Sequence, residues 1–98
     1  MHTYLTNASF QIIPIVTDKH PYLWVDEVIE VIKRSGVKYE VGPFATILEG
    51  TYSEIMNVIN EVNEFLLSRN CEEWICNIQL QLRSKADITA DEKTKKFR

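Results

Sequence analysis

The sequence predicts a two-layer α+β fold in which one antiparallel sheet carries both long helices on one face. Two stretches place apolar residues at helical spacing. A hairpin pattern lies between them, and strand-like segments with period-two patterning flank the pair. The resulting order, β-α-β-β-α-β with right-handed crossovers, is the ferredoxin-like arrangement with strand order 4-1-3-2. A short helix is expected to follow.

Residues 1 to 6 show no period and read as a lead-in. Ala8 to Val16 reads as the first strand, with Phe10 and Ile12 on one face and Ser9, Gln11 and Ile13 on the other. Pro14 stands near its end, where a missing donor is tolerated. Thr17 to Pro21 leads into a helix, since proline suits the first helical turn. From Tyr22 to Ser35, Val25, Val28, Ile29 and Ile32 oppose Asp26, Glu27, Glu30, Lys33 and Arg34. Gly36 fits the left-handed position that ends a helix.

Val37 to Val41 alternates as an edge strand does, and Gly42-Pro43-Phe44 is a turn signal. Ala45 to Glu49 is nearly all apolar or β-branched, as an inner strand would be. Thr51 and Glu54 make a capping box for a helix from Tyr52 to about Arg69, with Ile55, Met56, Ile59, Val62 and Leu66 on its stripe. Trp74, Cys76, Ile78, Leu80 and Leu82 then alternate with Ile75, Asn77, Gln79, Gln81 and Arg83, the cleanest period of two in the chain. Thr89 to Glu92 repeats the cap signature, with lysines at 93, 95 and 96 toward the far end. A helix of about two turns does not hold itself in water, so this one must dock.

One domain over residues 1–98 is the natural reading of this length. A net charge of −3 argues against nucleic acid or an anionic membrane surface as partner. No apolar run approaches the ~20 residues of a membrane helix. Met1 to Tyr4 has neither a basic nor an apolar leader segment, so no signal peptide is expected. Cys71 and Cys76 read as ordinary thiols, with Cys76 packed as a small hydrophobe. A disulfide or a two-ligand metal site is the lesser alternative. A zinc site would need more ligands than His2 and His20 add, so neither metal nor cofactor is expected.

Val37-Lys38-Tyr39-Glu40-Val41-Gly42-Pro43 and Thr46-Ile47-Leu48-Glu49-Gly50 together resemble the YkoF-like family of thiamine-binding proteins. Gln11 to Ile15, Val25 to Ile32, and Lys85 to Thr89 followed by Lys93 fit the same pattern, so the resemblance covers roughly residues 7 to 98. It implies a small-molecule binding protein for thiamine or its hydroxymethylpyrimidine moiety. It also implies a cytoplasmic location and assembly as dimers and tetramers. The family's strand motif carries over to Thr46 and Glu49, and its first-strand segment to Ser9 and Gln11. Phe44 stands where relatives often carry methionine, and Ala45 where they often carry glycine.

The residues support such a ligand on their own chemistry. An aminopyrimidine needs neutral donors and acceptors, which Ser9, Gln11, Thr46 and Asn77 offer. A thiazolium cation needs a carboxylate or an aromatic face, which Glu49, Phe44 and Tyr39 offer, with Tyr22 and Trp24 as further rings. The candidate ligand-binding set is therefore Ser9, Gln11, Tyr39, Phe44, Thr46, Glu49 and Asn77. Each has a plainer reading: Tyr39 and Trp24 suit a core, Thr46 an ordinary strand, and Glu49 the flank of a helix cap.

Other functions available to this fold lack their residues. Ser9-Phe10-Gln11-Ile12 holds neither the glycines nor the arginine of a phosphate-cradling loop, and neither histidine sits beside a convincing nucleophile. No catalytic residue is assigned, and a non-enzyme is expected. Strand three has no aromatic residue for stacking RNA bases. No Cys-x-x-Cys follows the first strand. The remaining rival is a regulatory or structural oligomerisation module. Self-association, as a tetramer built from two dimers, is expected under either reading.

Overall fold

The computed structural model describes residues 2–98. Its elements are β1 (Thr6–Pro14), α1 (Pro21–Ser35), β2 (Lys38–Val41), β3 (Thr46–Gly50), α2 (Tyr52–Ser68), β4 (Trp74–Gln81) and α3 (Ala90–Thr94), the last followed by a 3-10 turn over Lys95–Phe97. The four strands form one antiparallel sheet in the order β2-β3-β1-β4, the expected order read from the other edge. The α+β ferredoxin-like architecture with a short C-terminal helix is therefore as the sequence predicts.

The pleat sorts side chains to two faces. Ala8, Phe10 and Ile12 of β1 and Leu48 of β3 are buried under the helices. Trp24, Val28, Val31 and Ile32 of α1 meet them, as do Ile55, Val58, Ile59, Val62 and Leu66 of α2. Burying one such aliphatic side chain is worth about 1.5–3 kcal/mol, so this layer is the main stabilising feature.

The buried stripe of α1 differs from the one its spacing suggests. Val25 and Ile29 are only half-buried, while Trp24 and Val31 take the interior positions. The helix packs on α2 as well as on the sheet, which turns its interior face toward the crevice between them. Trp24 tolerates burial because its indole N–H donates to Asp18 Oδ1 at 3.1 Å, and Lys19 Nζ covers its ring at 4.3 Å.

Helix ends follow their signals. Gly36, at φ 81°, sits in the left-handed region after α1. Thr51 and Glu54 exchange both hydrogen bonds of the capping box. The start of α1 uses a cap the sequence did not announce: the His20 ring accepts from the Tyr22 backbone N–H at 3.1 Å.

Three details correct or complete the sequence reading. First, β1 begins at Thr6, so the end of the lead-in is strand. Leu5 before it is tied to the C-terminal segment through Asp87 Oδ1 and the Ile88 N–H. Met1, also assigned to the lead-in, lies outside the described residues. Second, the deeply packed thiol is Cys71. Asn70, at φ 57°, turns the chain back after α2, and Cys71 then enters the core, where burial pushes its thiol up. Cys76, on the edge strand β4, packs half-buried against the core as a small hydrophobe; both cysteines are free thiols. Third, α3 docks on its own chain: Ile88, just before it, is fully buried.

No helix among the described residues is long and apolar enough to cross a membrane.

Candidate ligand-binding site

Where β1 ends, α1 begins and β2 turns into β3, the two layers part into a groove of about 420 Å³. Its lining is mostly apolar, and Val25 and Ile29, the α1 residues left half-buried, belong to it. Thr46 lines it from the start of β3, and Tyr22 and Phe44 stand at it with 74% and 82% of their surfaces exposed. Exposed rings beside an apolar groove are suited to cover a flat heterocycle.

The β2–β3 turn that carries Phe44 is held by specific contacts. The Gly42 N–H donates to the Ala45 carbonyl at 2.9 Å. A Cβ at Gly42 would meet that same oxygen at 2.8 Å, so this position needs glycine. Gln11 Nε2 donates to the Phe44 carbonyl at 2.7 Å, and Asn77 Nδ2 donates to Gln11 Oε1 at 3.2 Å. Two amides on neighbouring strands thus brace the turn from the open sheet face.

The seven sequence candidates therefore separate. Gln11, Phe44 and Thr46 line the groove, and Asn77 reaches it through Gln11. Tyr39 pairs with Leu48 and packs, half-buried, against the core. Ser9 lies on the open face in a second cavity of about 440 Å³, lined also by Asn7, Ile47, Gln79, Gln81 and Lys93. Glu49 is 8% exposed beneath the C-terminal segment. Its Oε1 accepts from the Ala90 backbone N–H at 2.8 Å and from Asn7 Nδ2 at 3.5 Å, while its Oε2 faces Lys38 Nζ at 3.2 Å.

Thr46 and Glu49 are three residues apart in one strand, so the pleat sends them to opposite faces. Thr46 joins the groove and Glu49 joins the tail. Asn7 and Lys93 are not among the sequence candidates for ligand binding. The alternation of β1 continued backward would have placed Asn7 beside Ser9, but nothing local brings Lys93 there.

Among the described residues, no group of three or more His, Cys, Asp or Glu side chains is placed to hold a metal ion. Both histidine rings contact backbone groups, His20 at the Tyr22 N–H and His2 at the Arg83 carbonyl.

A family model described as thiamine-binding protein matches residues 8–98. A UPF0045 protein from Clostridium perfringens is 36% identical over 92 residues, spanning 94% of this chain and 96% of its own. The DUF77 domain of unknown function from Bacillus cereus superposes with a TM-score of 0.91 at 34% identity, covering 98% of this chain and 92% of that one. A Thermotoga maritima protein, described as a candidate for thiamine biosynthesis or salvage, superposes with a TM-score of 0.85 at 31% identity, covering 96% and 99%.

Proposed function

The chain belongs to the thiamine-binding protein family, and from that premise we propose that it is a non-catalytic binding protein for thiamine or its hydroxymethylpyrimidine moiety, acting as a homo-oligomer. The observation that carries the reading is the groove at Thr46, with the Tyr22 and Phe44 rings exposed beside an otherwise apolar lining. The aminopyrimidine enters this groove, where the Thr46 hydroxyl can both donate and accept. Among the described residues the lining holds no carboxylate, so the thiazolium stays at the mouth, against the aromatic faces. The pyrimidine alone then binds nearly as well as thiamine.

Ligand titration followed by Trp24 and Trp74 fluorescence, with calorimetry, tests this reading. Saturable heat with both compounds is expected. No heat and no rise in melting temperature at millimolar thiamine would leave the second reading, an oligomerisation module without such a ligand. That reading is favoured by apolar side chains open to solvent on one sheet face, Ile13 and Ile75.

A further inference from the structure

The second cavity is built differently from the groove. Asn7, Ser9, Gln79 and Gln81 give it amide and hydroxyl walls, and Ile47 gives it one apolar side. The carboxylates beside it are matched. Glu49 is held by Lys38 at 3.2 Å, Glu92 by Arg83 at 2.9 Å and Asp91 by Arg98 at 2.7 Å. Lys93 is in no such pair, nor are Lys95 and Lys96 after it, but among these three it is the one that lines the cavity. Its Nζ donates to the neutral Gln81 Oε1 at 2.8 Å, and among the described residues no carboxylate lies within ion-pair distance.

Lys93 is solvent-exposed, yet it lines a concave site, and the segment that carries it is fixed from behind. The Ala90 N–H bond to Glu49, the buried Ile88 and the Ile88 N–H bond to Leu5 hold the C-terminal segment on the sheet. Helix α3 has five residues, too few to keep Lys93 in place without those ties.

We propose that this pocket binds a small phosphate monoester carrying a hydrogen-bonding ring. The Lys93 ammonium leaves the Gln81 carbonyl for the phosphate. Ser9, Asn7 and the amides of Gln79 and Gln81 then meet the ring edge, whose donors and acceptors they can match in either sense. The volume suits a ligand of nucleoside monophosphate size. The site is on the sheet face opposite Thr46, so it stands whether or not the groove binds thiamine.

Side-chain amide signals of the full chain, followed by NMR at constant ionic strength, test the assignment with inorganic phosphate, uridine and uridine monophosphate. Uridine monophosphate should saturate the Gln79 and Gln81 signals about tenfold more tightly than either of the other two. Lys93→Gln should bring it down to the level of uridine, with near-UV dichroism unchanged, while Lys95→Gln should leave it alone. Uridine monophosphate binding no tighter than uridine, or no tighter than inorganic phosphate, would overturn the proposal. So would equal losses in the two lysine variants.

Discussion

At the scale of single residues, Glu49 is a polar group constrained from three sides. It is nearly buried, and its two oxygens serve three elements: Asn7 of β1, Lys38 of β2 and the backbone ahead of α3. The Lys38 pair adds little, because that lysine is largely exposed. The bond from the Ala90 N–H matters more, since it anchors the tail. Glu49→Ala should therefore lower stability to urea by about 1–3 kcal/mol. Glu49→Gln keeps an oxygen for Ala90 and should lose less. It should also leave the affinities for thiamine and the neutral pyrimidine unchanged in calorimetry, whereas a carboxylate touching the thiazolium would make thiamine fall alone. Thr46→Val gives the contrasting result. It keeps the volume and removes only the hydroxyl, so the melting temperature should hold while both ligands weaken by about tenfold, near 1.4 kcal/mol. The sequence shows Thr46 and Glu49 as one motif. It hides their separation, because the partner that occupies Glu49 is 41 residues away and no local pattern announces it.

At the scale of elements, caps and turns were the most legible features, since their chemistry is local. The Thr51–Glu54 box is the clearest case. The Thr51 backbone N–H, and then its side chain, hold the Glu54 carboxyl below its ordinary value of 4.5. A depressed carboxyl stabilises the helix fully above that ordinary value and loses the contribution as pH falls through its lower folded value. Protection of the first-turn amides of α2, taken relative to their intrinsic exchange rates, should therefore fall over that acidic window in the native protein, and the change should vanish in Glu54→Gln. Thr51→Ala should cost about 1 kcal/mol in denaturant unfolding at neutral pH. Helix faces were less legible than helix ends. The period of α1 showed that one side is apolar, but six aliphatic residues and a tryptophan spread over more than one face. Contact with α2 decides which of them are interior, and the half-buried Val25 and Ile29 become the groove wall. The groove itself has no sequence signature, because it forms where three element ends meet.

At the scale of the whole molecule, two features among the described residues remain without a partner within the chain. Ile13 and Ile75 face each other across β1 and β4 on the open sheet face, with 38% and 46% of their surfaces exposed, and Ile15 just beyond β1 is 45% exposed. Both sheet edges, β2 and β4, also present unpaired backbone. The need of the short C-terminal helix for a docking surface, a third reason to expect assembly, is met internally through Ile88 and Glu49. Apolar side chains and open edges on one small domain are covered most simply by closed two-fold assembly. One two-fold can join edges and a second can cover the sheet faces, which yields a tetramer built from two dimers. Sedimentation equilibrium at tens of micromolar should then return a multiple of the 11.4 kDa chain. Ile75→Lys places a charge in the apolar patch at the start of edge strand β4, so it should dissociate the assembly with the monomer still folded. Truncation after Ser84 should act differently. It removes Ile88 from the interior and leaves the Glu49 carboxylate without its Ala90 donor, so it should lower the melting temperature of monomer and assembly alike. A clean monomer for the native sequence would refute the assembly. Dissociation by truncation with no loss of monomer stability would place the clasp in the tail instead of the isoleucine patch.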